Sequence, residues 1–364
     1  MATTTTRIYN FSAGPAVLPI EVLEEAQRDL VSLPGVGMSI LEISHRSKAF
    51  DDIIQGCDAD MRTLAGIPSN YRVLFLQGGA SLQFSMVPLN LLPPGGSADY
   101  IVTGVWGQKA VKEAKKVGSV KIAGSTEADN FTSVPRQQDL MLDPNAAYVH
   151  MTSNNTIYGT EWQWLPETGS VPLVSDASSD IFSRPIDVSK HALIYAGAQK
   201  NLAPAGVTLM IIRDDLLKRS PSTLHTMMNY SVHAENHSLY NTPPVFAIYI
   251  MRLVMTWLLK NGGLEGVGKK NIRKAEKLYA EVDRSGFYRG HARNDARSRM
   301  NVTFRLPSEE LEKTFAKEAT AAGLDGLKGH RSVGGMRASI YNAFPEAGVD
   351  ALVQFMQEFE RRHG

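Results

Sequence analysis

Lys200 is the residue whose surroundings fit a surface lysine least. It lies in "IYAGAQKNLAPAGVTLMII" (194–212), where one apolar run enters, another leaves, and small residues form the turn between them. A lysine in a dry pocket loses its proton readily and becomes a nucleophilic amine, able to form a Schiff base with an aldehyde. The ordinary alternative is a stem that snorkels its charge to water. Asp176 closes the apolar run "VPLVSD", either as a helix cap or as the counter-ion of a buried cation. Trp106 follows "ADYIVT", either as core or as a ring that stacks on a flat heteroaromatic ligand. Gly79, Ala80 and Ser81 follow "YRVLFL", either as a plain strand-to-helix turn or as backbone N–H groups aimed at a phosphate. Past "AAYVHM" comes "MTSNNTIYGTEW", mostly turn-forming types, from which Thr156 could also reach a ligand.

Together four of these strand ends describe one small molecule. It has a phosphate for Gly79, Ala80 and Ser81, and a flat ring for Trp106. It also has a ring nitrogen that needs a proton from Asp176, and an aldehyde for Lys200. Pyridoxal phosphate has all four parts.

Such residues converge only if their strands end at one edge of one sheet. Short apolar runs at 71–76, 98–103, 146–151, 171–176, 192–196 and 207–212, separated by helical or loop segments, predict a mostly parallel sheet covered on both faces. Ligands then bind at the carboxyl ends of the strands. Helical spacing predicts helices over "PIEVLEEAQRDLVSL" (19–33) and "SKAFDDIIQGCDADMRTLAG" (47–66). "VFAIYIMRLVMTWLL" (245–259) reads as a buried helix, capped by Asn241 or Thr242 with Pro243 and Pro244 in its first turn. After the Gly-Gly stop at 262–263, helices mix with the alternating "RMNVTFRL" as a smaller α+β unit. The expected division is an arm (1–15), a large domain (16–260) and a small C-terminal domain (261–364).

Bulk properties exclude several other roles. The 364 residues carry 38 basic and 37 acidic side chains, a net charge of +1, so there is no basic field for nucleic acid. The one cysteine, Cys57, precludes an intramolecular disulfide framework and fits a reducing compartment. "MATTTTRIYNF" has no apolar leader core, and the 245–259 run is too short to span a bilayer and contains Arg252; the expectation is a cytoplasmic protein with no membrane role. "GLEGVGKK" (263–270) mimics a phosphate-binding loop, but it follows a helix and has Lys270 where Ser or Thr belongs. "HAENH" (233–237) lacks a third ligand, so no metal site is expected.

With those residues in place, the sequence resembles the phosphoserine aminotransferases over essentially its whole length. The motifs "NFSAGPAVLP", "SHRSKAF", "ADYIVTGVWGQKA", "SRPIDVS", "IYAGAQKN", "NTPP" and "KGHRSVGGMRASIYNA" carry the likeness. The resemblance implies the aspartate-aminotransferase-like (type I) fold, with a seven-stranded sheet in the large domain, and a homodimer with shared active sites. It implies that Lys200 is the Schiff-base lysine, that Gln199 contacts the cofactor phosphate with Ala80 and Ser81, and that Thr156 bonds the ring hydroxyl. Asp176 would pair with the pyridine nitrogen and Trp106 would stack on the ring. Asn241 and Thr242 would complete the phosphate cup from the second subunit. Substrate anions fall to His45, Arg46, His330, Arg331 and Arg337. The implied reaction moves an amino group between glutamate and 3-phosphohydroxypyruvate, giving phosphoserine. A related transaminase for another amino acid would not need both "SHR" and "GHR". A cysteine desulfurase would need a reactive thiol, and a non-catalytic cofactor-binding regulator would have no use for the substrate arginines.

Overall fold

A strand covered on both faces has no side to leave polar, and three strands of the largest sheet are buried at every position: Val149–Thr152, Leu173–Asp176 and Leu193–Gly197. The computed structural model, which describes residues 7–331 and 333–364, sets them at the centre of a seven-stranded sheet. The spatial order is Tyr71–Leu76, Thr208–Arg213, Leu193–Gly197, Leu173–Asp176, Val149–Thr152, Ser97–Val102, Ser119–Ser125. Thr208–Arg213 is antiparallel to both neighbours, and every other pairing is parallel. All six expected strands are present, although four start later than their apolar runs, most of all at Val149 and Leu173. The seventh, Ser119–Ser125, has no apolar run to announce it. It is the outer edge of the sheet, and only Ala123 in it is buried.

The two faces of the sheet feed separate cores. Along Leu193–Gly197, Ile194 and Ala196 point into one, with Phe50, Ile54, Ile248 and Met251 from two long helices. Leu193 and Tyr195 point into the other, with Phe84, Met86 and Val111. The helix Lys48–Ala65 starts at Ser47, whose hydroxyl accepts the Phe50 N–H at 3.3 Å, and stops at Gly66 in the left-handed region. The helix Ile20–Asp29 ends short of the expected Leu33, whose N–H instead donates to the Met38 carbonyl.

The helix Val245–Lys260 corrects a second expectation. Pro244 is its cap position, both prolines precede it, and no side chain caps it. Asn241 donates to the neighbouring Thr242 carbonyl instead. Gly262 and Gly263, both left-handed, turn the chain directly into the helix Gly263–Arg284.

The C-terminal part holds an antiparallel sheet of Arg289–Gly290, Asn301–Arg305 and Met336–Ser339. The helices Gly263–Arg284, Glu309–Ala321 and Glu346–His363 pack on it around Val302, Phe304, Phe315 and Phe359. Tyr9–Asn10 pairs with Leu324–Asp325, so the N-terminal stretch is stitched to this part. Lys274 is fully buried here. Its ammonium donates to the carbonyls of Ile340, Tyr341 and Phe344 at 2.9, 2.6 and 3.1 Å, three donors for three acceptors. That fixes the turn leaving Met336–Ser339. No single helix among the described residues is long and apolar enough to cross a membrane.

Candidate active site

The parallel strands end at one edge of the sheet, and close packing of small residues decides what each turn presents there. After Tyr71–Leu76 the chain turns through Gly78 at φ 82°, where a Cβ would lie 2.6 Å from the Leu82 side chain. The helix Gly79–Leu91 begins at once and no side chain caps it. Its first N–H groups and the positive end of its dipole are therefore offered to a ligand anion. After Ser97–Val102 comes Gly104, where a Cβ would stand 2.2 Å from Asn155 Oδ1. Asn155 in turn donates to Thr103 Oγ1 at 2.9 Å. Only glycine admits this approach, and it fixes the first turn of the helix Val105–Ala114, which carries Trp106.

The "MTSNNTIYGTEW" run makes a buried hairpin, Asn154–Asn155 against Thr160–Glu161, rather than a surface turn. From it Thr156 reaches Lys200, whose Nζ donates to Thr156 Oγ1 at 2.7 Å and stands 5.8 Å from the Trp106 ring centre. The Lys200 turn is held from two sides. Gln199 O accepts the Ala16 N–H at 2.9 Å, and the Asn201 side chain accepts the Asn342 N–H at 3.0 Å. Burial lowers the Lys200 pKa to about 8; the nearby Arg337 charge acts the same way, and Asp176 and Asp180 oppose it.

Asp176 ends its strand buried. Ser178 donates both its N–H and its hydroxyl to Oδ1, at 3.1 and 2.6 Å. Burial raises the Asp176 pKa, with the Ser178 bonds and the Lys200 charge holding it back. Gly79, Ala80, Ser81, Trp106, Thr156, Asp176, Gln199 and Lys200 all line one cavity, joined by Phe84, Thr152, Asn154, Ser178 and Ser179. Two polar atoms of that lining, Thr152 Oγ1 and Trp106 Nε1, are buried without a hydrogen-bond partner among the described residues. A cavity with an N–H cup, an aromatic lid, a carboxylate, an amine and two unsatisfied polar atoms fits a flat, phosphorylated aldehyde.

Arg337 stands beside this cavity on Met336–Ser339, with Nη1 3.4 Å from the Thr156 carbonyl and Nε buried without a partner among the described residues. Gly329, Gly334 and Gly335 close the preceding loop so tightly that a Cβ on Gly329 would lie 2.1 Å from the Gly334 carbonyl. The loop presents His330 half-buried and Arg331 exposed. Burial lowers the His330 pKa, and the charges of Arg337, Arg331 and Lys109 lower it further.

Seven expected residues do not line this cavity: Arg337, His330 and Arg331, placed as above, and His45, Arg46, Asn241 and Thr242. His45 and Arg46 sit before the helix Lys48–Ala65, and the Arg46 N–H bonds locally to Ser44. Asn241 and Thr242 precede the helix Val245–Lys260, and neither lines the cavity. Sequence reasoning missed Ser178, Thr152 and Asn154. Ser178 sits in "DASSD", where a serine looks like any turn residue, and only the strand end makes it a donor to Asp176. Cys57 is fully buried in the helix Lys48–Ala65, its thiol pushed upward by burial, so it offers no nucleophile.

Comparison with known proteins now bears on the same residues. The Aminotransferase class-V family pattern matches residues 8–352. A phosphoserine aminotransferase of Herpetosiphon aurantiacus is 55% identical over 358 residues, 98% of this chain and 99% of that one. The chain belongs to the phosphoserine aminotransferase family. The solved phosphoserine aminotransferase of Bacillus circulans subsp. alkalophilus superposes with a TM-score of 0.97 at 53% identity, covering 99% of this chain and all of that one. A pyridoxal-phosphate-bound phosphoserine aminotransferase from Trichomonas vaginalis superposes at 0.92 with 39% identity, over 96% of this chain and all of that one. Ureidoglycine-glyoxylate aminotransferase from Bacillus subtilis, at 16% identity and a TM-score of 0.78, shares the fold alone.

Proposed function

We propose that this protein uses pyridoxal phosphate to move an amino group reversibly between glutamate and 3-phosphohydroxypyruvate, giving 2-oxoglutarate and O-phosphoserine, a step of serine biosynthesis. One observation carries the reading. The Lys200 amine, the Asp176 carboxylate, Trp106 and the uncapped N-terminus of Gly79–Leu91 meet around one cavity, with Arg337 bonded to its edge.

When bound, pyridoxal phosphate supplies an aldehyde to receive the amino group and a ring to take up electrons as the substrate Cα loses its proton. Lys200, with a pKa of about 8, has a sizeable neutral fraction near neutrality and serves as the base that moves that proton. Thr156 accepts a hydrogen bond from its Nζ and aims it. Asp176 holds a proton at the ring nitrogen, and the two Ser178 bonds keep its carboxylate charged and oriented. Trp106 covers the ring and excludes water. Gly79, Ala80 and Ser81 bind the phosphate through backbone N–H groups, and Gln199 adds its side chain.

Glutamate and phosphoserine share an α-carboxylate and differ in the second anion. Arg337 takes the shared carboxylate as a guanidinium fork; His330 and Arg331 take the distal group. His45 and Arg46 join them, and Asn241 and Thr242 complete the phosphate cup, from a second copy of the chain in a homodimer. Two features support that assembly. All four residues miss their own chain's cavity, and the segment leading to His45 exposes Leu30, Val31, Met38 and Leu41. The division into arm (1–15), large domain (16–260) and small domain (261–364), and a cytoplasmic location, belong to the same reading.

The donor test decides it. Glutamate and phosphoserine should each discharge the bound cofactor's absorbance in a single turnover, and alanine should not. Discharge by alanine but not by phosphoserine would replace this reading with a transaminase for another amino acid.

A further inference from the structure

The distal-anion site, as assigned above, is short of charge within this chain. A phosphate monoester has a second pKa of about 6 and is mostly a dianion at neutral pH, whereas the glutamate side chain brings one negative charge. Burial and three neighbouring cations lower the His330 pKa, so its imidazole is neutral near pH 7 and contributes a hydrogen bond without a charge. Arg337 is committed to the α-carboxylate. Arg331 remains within this chain, and Arg46 of a second copy joins it.

Lys109 adds a further charge from this chain by position. It lies one helical turn after Trp106 on Val105–Ala114, on the same face, and its Nζ stands 4.5 Å from the Trp106 ring centre. That ring is the one Lys200 faces at 5.8 Å, so the two ammonium groups flank a single side chain of the cavity. Carboxylates within reach of this helix are taken by others: Gln108 donates to Glu127, and Lys116 pairs with Glu113. Lys109 itself is exposed and, among the described residues, has no acidic partner. Packing on the Trp106 face is the bland account of such a lysine, worth a weak cation–π contact at an exposed site. That account leaves unexplained why three cations, Lys109, Arg331 and Arg337, all stand near enough to His330 to lower its pKa, while no ion pair to a carboxylate is formed by any of the three among the described residues.

We propose that Lys109 is a specificity-determining residue, a flexible cation at the cavity mouth that neutralises the second charge of the substrate phosphate. The assignment rests on the functional reading above. An ammonium on a four-carbon stem suits this task, because it can follow a tetrahedral phosphate and leave a smaller, singly charged carboxylate to the arginines.

The test uses the dimeric holoenzyme with Lys109→Met, which keeps the apolar stem over Trp106, and Lys109→Arg, which restores the charge. For Lys109→Met the KM for phosphoserine should rise about tenfold and that for glutamate no more than about twofold, with kcat for phosphoserine nearly unchanged. Inorganic phosphate should compete with glutamate in the wild-type protein about tenfold more tightly than in Lys109→Met. Lys109→Arg should recover most of both effects, and the gap between Met and wild type should shrink at high salt. Equal losses for the two donors, or an unchanged phosphate inhibition constant, overturn the assignment while leaving the transaminase reading in place. A wild-type protein that ignores phosphoserine but binds phosphate in a Lys109-dependent way overturns the functional reading and keeps Lys109 as an anion ligand.

Discussion

Ser178→Ala isolates the support of Asp176 from Asp176 itself. The Ser178 hydroxyl donates to Asp176 Oδ1 at 2.6 Å, and its oxygen accepts the Gly197 N–H at 3.1 Å, so one small group ties the carboxylate to the strand that delivers Lys200. A hydrogen bond to a charged group contributes about 1.5–3 kcal/mol, and one pKa unit corresponds to about 1.4 kcal/mol. Losing the hydroxyl therefore raises the Asp176 pKa beyond the rise that burial already imposes. The sign follows from which form the bond favours. Ser178 donates to the carboxylate, so removing it makes protonation easier, and the charged form needed to hold a proton on the ring nitrogen is lost at higher pH. The acid limb of kcat/KM for glutamate should move to higher pH, with activity recovering to within a few-fold of wild type well above it. Orphaning the Gly197 N–H should also cost about 1 kcal/mol of stability, visible as a lower Tm. The assay is a pH–rate profile of the glutamate half-reaction alongside a thermal melt. An acid limb that stays put, with a uniform loss at all pH, would refute the proposed role of Ser178.

Lys200 in the apoprotein should react with an amine-directed reagent along a curve whose midpoint lies near pH 8, because only the neutral amine attacks; Arg337→Ala should move that midpoint upward, since the Arg337 charge helps to lower it. A midpoint above pH 10 in the wild type would contradict the dry-pocket argument. Gly104→Ala should destabilise the protein by about 2–4 kcal/mol, because its Cβ would displace Asn155 and strip Thr103 of its partner, whereas Gly107→Ala meets ordinary contacts and should be mild. Comparable melting temperatures for the two would overturn this. Arg337→Ala should impair glutamate and phosphoserine alike, while Arg331→Ala should cost phosphoserine about 2–3 kcal/mol, on the order of a hundredfold in kcat/KM, and glutamate much less. Equal losses for both donors in Arg331→Ala would reject its phosphate role.

The legible parts of the sequence were those where burial dictates residue type. Leu193–Gly197 and Thr208–Arg213 are almost wholly apolar because both faces are covered, and the chemistry-bearing residues stand out at their ends. Ser119–Ser125 was invisible for the same reason: an edge strand with mostly open faces has no pattern to keep. "MTSNN" misled because hydroxyl and amide side chains build surface turns and buried hydrogen-bonded hairpins from the same types. Asn154 donates to both Ser179 and Asn301, partners too far along the chain for local rules to see. The cap expected at Asn241 or Thr242 failed because two consecutive prolines set the entry to the next helix without side-chain help. His45 and Arg46 are legible as types, but nothing local says which cavity they serve.

The central claim is that Lys200 moves an amino group between glutamate and a phosphorylated keto acid. Holoenzyme incubated with ¹⁵N-labelled glutamate and 3-phosphohydroxypyruvate should yield ¹⁵N-labelled O-phosphoserine and unlabelled 2-oxoglutarate in equal amounts. Lys200→Ala, folded and loaded with cofactor, should yield neither at a measurable rate. Label that never reaches phosphoserine in the wild type, or that reaches it equally fast in Lys200→Ala, would contradict the account.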